Sequence, residues 1–191
     1  MKKYLLLTIL QLVVYTGFSQ SVADVVSYTL PQGWYAQKTG ENITLLKTGM
    51  EAANCRIVLY KPVKTVTDTV TVYTKYRNEL VPATKLVVTG STPVQKQAGP
   101  GWTSFSALQN VGTKGSAYSI AFYSLSDSKQ TIFFAVYANS DTVCNDELDL
   151  ILQSISLATL TDAVTTGKTR KPKTQGRYIK SLKKLKEIAS L

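Results

Sequence analysis

The chain has 191 residues, 44% hydrophobic and 18% charged, with 22 Lys or Arg against 12 Asp or Glu and a formal net charge of +10. It contains no histidine, which excludes Ser-His-Asp and Cys-His nucleophile pairs, the common His-ligated zinc sites and the usual proton shuttle near neutral pH. Residues 162–191 contribute +7 and residues 1–20 contribute +2, so residues 21–161 carry only +1. The basicity is that of a tail, and every aromatic residue except Tyr178 precedes it, a separation that argues against nucleic acid as the partner.

Residues 1–19 read as a signal peptide. Lys2 and Lys3 form a positive start, Tyr4 to Phe18 an apolar run, and Gly17 and Ser19 put small residues where a signal peptidase reads, so the mature chain starts at Gln20. The run is shorter than the roughly 20 apolar residues needed to span a bilayer, and Gln11 interrupts it. No lipid-attachment cysteine follows. The expected location is periplasmic or secreted, and residues 20–158 are long enough for a single domain with its own core.

Within that domain, Val25 to Leu30 alternates as a strand, and Pro31-Gln32-Gly33 turns the chain into Trp34. Ile43 to Leu46 and Arg56 to Tyr60 are further strands. The period then changes: Val70, Tyr73, Arg77 and Leu80, with Val72 and Tyr76, predict one helix face, capped by Thr67 or Asp68 and stopped by Pro82. Lys85 to Val88 is a short extended piece, and Gly90 to Pro100 has loop chemistry. Trp102 to Leu108, Ala117 to Leu125 and Thr131 to Ala138 predict three consecutive antiparallel strands joined at Gly112–Gly115 and Ser126–Lys129. Tyr118, Ile120, Phe122, Tyr123, Ile132, Phe134 and Tyr137 make these strands apolar on both faces, so they are covered on both sides or line a pocket. The last helix places Asn145 as its cap, Asp146 and Glu147 in the first turn, and Leu148, Ile151, Leu152 and Ile155 on the buried stripe. The fold class is α+β, an antiparallel sheet with helices packed on its faces.

Cys55 and Cys144 are far apart and lack C-x-x-C spacing. In an exported chain the leading reading is one disulfide, worth roughly 4–5 kcal/mol in the chain-entropy account. The alternative is two buried thiols. Trp34 and Trp102 each have two readings, a ligand platform or core packing beside a turn, and packing is favoured.

Several short patterns fail on inspection. Gly167-Lys168-Thr169 resembles the end of a phosphate loop, but the first glycine of that pattern falls on Asp162. Ser181 to Lys184 has Ser-x-x-Lys spacing, yet a lysine in a basic, exposed segment stays protonated. Asp146, Glu147 and Asp149 fit a solvated helix start better than a metal site. Asn42-Ile43-Thr44 is a glycosylation triplet in a chain with a leader of bacterial appearance, and chance explains it. The sequence points to no cofactor, no metal and no catalytic set.

Residues 159–176 read as a basic flexible linker, broken by Gly167, Pro172 and Gly176. Residues 177–191 predict a short basic amphipathic helix, with Tyr178, Leu182, Leu185 and Ala189 on one face. The candidate residues for contact with an acidic surface are Lys168, Arg170, Lys171, Lys173, Arg177, Lys180, Lys183, Lys184 and Lys186.

The Tyr28-Thr29-Leu30-Pro31-Gln32-Gly33-Trp34 string, the strand and helix order that follows, Gly101-Trp102 and the closing helix from Asp146 to Leu157 resemble the PsbP-like domains, including the DcrB-type proteins of bacterial envelopes. The resemblance spans about residues 24–158. It implies an α/β/α sandwich and an accessory or binding role, and it brings no shared catalytic residues. The expectation is an exported, non-enzymatic binding protein of the bacterial envelope. It docks on an envelope protein partner, and its basic tail is directed at an acidic surface such as an anionic membrane. The alternative is a carrier of a small apolar ligand held between sheet and helix.

Overall fold

A computed structural model describes residues 19–22, 25–50, 55–65, 70–81, 88–112, 118–139, 144–157 and 185–186. Residues 1–18 of the leader, the proposed linker and most of the C-terminal segment lie outside the described residues; Ser19, the last residue assigned to the leader, begins β1.

The elements among the described residues occur in the order β1 (Ser19–Val22), β2 (Val26–Thr29), β3 (Trp34–Thr39), β4 (Asn42–Lys47), β5 (Cys55–Leu59), β6 (Val63–Lys64), α1 (Val70–Leu80), β7 (Val88–Ser91), β8 (Gln95–Gly99), β9 (Trp102–Val111), β10 (Tyr118–Asp127), β11 (Gln130–Asn139), α2 (Asn145–Ser154) and β12 (Ser156–Leu157). The main sheet is antiparallel in the order β3-β4-β5-β11-β10-β9-β7, with β6 added to β11 and β8 to β9. A small sheet, β1-β2-β12, stands apart from it.

The three predicted central strands are present and pair in order, each extending to ten residues. The β10–β11 turn is fixed by Asp127, whose Oδ1 accepts from the backbone N–H of Lys129 at 2.7 Å and of Gln130 at 2.8 Å. This is the Asx-type bond that favours Asp in tight turns.

The two faces of the sheet bury two separate cores. One holds Leu45, Ile57, Leu59, Tyr123, Phe134 and Val136 under Leu148, Ile151, Leu152 and Ile155, the predicted stripe of α2. The other holds Phe105, Ile120, Phe122 and Phe133 with Tyr73 of α1. Phe122 and Phe134 therefore point to opposite faces, and both are buried. Of the two readings for these strands, coverage on both sides is the one realised.

Four local expectations are corrected. Gly90 to Pro100 is not a loop: β7 and β8 both pair with β9. Their polar sequences become strands because β9 offers a long edge whose backbone groups need partners. Val70 is 48% exposed, so the packed face of α1 is Tyr73, Tyr76 and Leu80. Asn145 is the first residue of α2, and Cys144 occupies the cap without a side-chain cap bond. Finally, the closing helix expected to run to Leu157 ends at Ser154, and Ser156–Leu157 pair with β2 as β12; like β1, this is a short pairing that no periodicity announces.

Candidate functional site

The N-terminus of α2 is where distant parts of the chain meet. Cys144, at the cap, is joined to Cys55 of β5, with Cα atoms 6.4 Å apart and 89 residues of separation. Both cysteines are buried, so the disulfide reading replaces that of two free thiols. One turn into the helix, Glu147 accepts a hydrogen bond from Trp34 Nε1 at 3.1 Å and pairs with Lys47 Nζ at 2.6 Å. Trp34 is thus packed in the core with its indole N–H satisfied, and the ligand-platform reading fails for it. Gly33, at φ +82°, supplies the left-handed residue that aims Trp34 inward. Burial raises the Glu147 pKa, but the hydrogen bonds from Lys47 and Trp34 and the Lys47 charge outweigh it and hold the carboxyl below its ordinary value. Trp102 packs against the same core and needs Gly99 beside it, since a Cβ there would lie 2.4 Å from the indole nitrogen.

The C-terminal segment also returns to this place. Leu185 is 0% exposed and belongs to the α2-side core. Next to it, Lys186 Nζ donates to Asn145 Oδ1 at 3.2 Å. Burial lowers the Lys186 pKa, and the Asp149 carboxylate opposes that shift. Among the nine candidate residues for an acidic surface, Lys186 is therefore engaged with the domain itself. Lys168, Arg170, Lys171, Lys173, Arg177, Lys180, Lys183 and Lys184 lie outside the described residues. Because Leu157 ends β12 and Leu185 is in the core, residues 158–184 connect two points held on the domain.

Among the described residues no group of three or more Cys, Asp or Glu side chains is arranged to hold a metal ion. A shallow cleft of about 160 Å³ lies between α1 and the β6–β11 edge, with Phe133, Tyr76, Val63 and Val72 as its apolar walls and Lys64 and Lys75 beside them. Its polar margin is Thr131, whose hydroxyl is 2.9 Å from those of Thr65 and Ser126.

A further feature, invisible in the sequence, is a row across the α1-side face: Tyr35, Leu46, Arg56, Tyr137, Ile120 and Gln109 stand opposite one another on successive strands. The Arg56 guanidinium lies 4.1 Å above the Tyr137 ring. Nearby, the Tyr60 hydroxyl donates to the Leu80 carbonyl at 3.0 Å. Burial raises the pKa of both Tyr60 and Tyr118, and each senses Tyr137 and the Arg56 charge. No spacing signal in the sequence brings Arg56 to Tyr137; the β5–β11 register does.

The same fold occurs in solved structures. Cyanobacterial PsbP (CyanoP) from Synechocystis matches 74% of this chain and 91% of its own, with a TM-score of 0.51 and 10% identity. LpqN of Mycobacterium tuberculosis, described as involved in cell envelope biogenesis, matches 75% of this chain and 86% of its own, with a TM-score of 0.50 and 12% identity. A Bacteroides thetaiotaomicron protein matches 75% of this chain at a TM-score of 0.50 and 8% identity; the match takes in 48% of that protein, about half its length. No family model matches the chain, and no curated protein matches it by sequence. The architecture is PsbP-like, as the Pro-Gln-Gly-Trp corner and the element order imply.

Proposed function

We propose that this protein is an exported accessory protein of the bacterial cell envelope that acts by binding, its domain docking on a protein partner while its basic C-terminal segment engages an acidic surface. The observation that carries this reading is the return of the chain at Leu185 and Lys186. It makes residues 158–184, with eight Lys or Arg against Asp162 alone, a cationic stretch tethered to the domain at both ends. A tethered charge cluster adds affinity and on-rate toward an anionic surface while the domain supplies specificity. Two findings support the compartment: the Cys55–Cys144 bond suits an oxidising environment, and LpqN, which shares the fold, is tied by its description to the envelope.

The test uses the mature chain from Gln20 and vesicles of phosphatidylglycerol in phosphatidylcholine. Each Lys or Arg near such a surface contributes about 1 kcal/mol, screened as salt rises. Binding at low salt that falls with added salt is expected. A variant with the eight basic residues of 158–184 changed to Gln should bind at least tenfold more weakly. Equal binding by both chains contradicts the tail's role, and recovery of the native protein from cytosol with its leader attached contradicts export.

The second reading, a carrier of a small apolar ligand, is favoured by the Phe133–Tyr76 cleft. At about 160 Å³ it falls below the roughly 300–1,000 Å³ of ordinary ligand pockets, so its occupant is limited to a single ring or short chain. Unchanged Tyr76 fluorescence and stability on saturation with small aromatic acids would reject it.

A further inference from the structure

Among the described residues Arg56 is a cation without a carboxylate partner. Its Nε is buried with no hydrogen-bond partner, and none of the ion pairs among the described residues includes it. Its charge is held over the face of Tyr137, a contact worth about 0.5–2 kcal/mol that fixes the guanidinium plane and gives the Nε–H no acceptor. Among the described residues, the charged and titratable neighbours that Tyr60 and Tyr118 sense are Tyr137 and Arg56. Tyr60 already donates its hydrogen bond to the Leu80 carbonyl, and Tyr118 stands on the same sheet face, one strand beyond Tyr137. An unpaired, half-buried cation costs stability unless a partner supplies the missing acceptor.

The C-terminal end of α1 reaches Tyr60, whose hydroxyl donates to the Leu80 carbonyl. The aromatic contacts of α1 are with Phe105, Phe122 and Phe133, while Tyr35, at the start of the Arg56 row, is 48% exposed. Two strand spacings separate Tyr35 from Arg56, about 10 Å, a span of about three residues of extended peptide. Tyr and Arg are also the residue types most enriched at the energetic centres of protein interfaces.

We propose that Arg56, braced by Tyr137 and flanked by Tyr118, is a receptor for a carboxylate on an acidic segment of the protein partner, with Tyr35 contacting an apolar neighbour of that carboxylate. The proposal rests on the docking reading above and names the surface and chemistry involved. The planar fork of Arg56 takes a carboxylate in two parallel bonds, and the Tyr118 hydroxyl adds a third donor.

The experiment titrates a blocked tetraglutamate peptide into the full mature chain and follows the Arg56 Nε–H and the Tyr118 and Tyr137 ring signals by NMR. Saturable shifts at these groups are expected. Arg56→Gln should weaken that site at least tenfold, and Tyr118→Phe, which removes one hydroxyl and keeps the packing, should weaken it about threefold. The variant with the eight tail residues neutralised should leave the Arg56 response in place, whereas phosphatidylglycerol vesicles should act through the tail and leave it unmoved. Shifts confined to tail lysines, or equal affinity in Arg56→Gln, overturn the receptor while leaving the tail's role standing. Loss of vesicle binding alone does the reverse.

Discussion

The two faces of the main sheet are closed in different ways. On the α2 face a disulfide, the Trp34–Glu147–Lys47 contacts and Leu185 tie β3, β4, β5 and the C-terminal segment to one end of one helix. On the α1 face the closure is a shorter stack of rings, Tyr73 against Phe105 and Phe122 and Tyr76 against Phe133, and Tyr35 at the β3 edge is exposed. A covalent link and long-range tethers make the first face the stabilising one.

The sharpest way to break this comparison is the disulfide. Replacing Cys55 and Cys144 with Ser together should cost about 4 kcal/mol in equilibrium denaturation, with a similar loss on reduction of the native chain. An unchanged midpoint would mean that the α2 face does not depend on the bond. Next in size is Leu185→Ala, which removes a fully buried side chain. A loss of about 2–4 kcal/mol is expected by thermal unfolding, against nearly none for a residue in a solvated tail. Tyr73→Phe probes the other face. It deletes the buried hydroxyl that donates to the Phe122 carbonyl at 2.7 Å and keeps the ring, so about 1 kcal/mol should be lost.

The smallest effect is electrostatic. Because the folded-state pKa of Glu147 is depressed, its contribution is present above the ordinary carboxylate pKa and is lost as pH falls through the lower folded value. The carboxylate is partly exposed, at 32%, so screening keeps this under about 1 kcal/mol. Glu147→Gln should flatten stability below pH 4.5 relative to the parent chain, and parallel acid profiles would show that the Lys47 pair contributes nothing.

What the sequence could and could not announce follows from range. The stripe Leu148, Ile151, Leu152, Ile155 and the three long strands are local periodicities, and the structure shows them where the periods place them. Strands β7 and β8 are polar edge segments whose only reason to be extended is the edge of β9, and no local pattern carries that reason. Tyr73 and Tyr76 are legible as a helix face, but Val70 continues the same period into solvent. Leu185 reads as one residue of an amphipathic stripe; that it finds the same core as Trp34 and the disulfide is a tertiary fact. The Arg56–Tyr137 stack is likewise a matter of register.

The account turns on whether the C-terminal segment is part of the folded body. Methyl relaxation of the mature chain answers this directly through the order parameter of the Leu185 methyl groups. Values matching those of the buried Leu148, with contacts between the Lys186 side chain and the Asn145 amide, are predicted. Values as low as those of a free chain end would contradict the account, because the basic stretch would then have only one point of attachment.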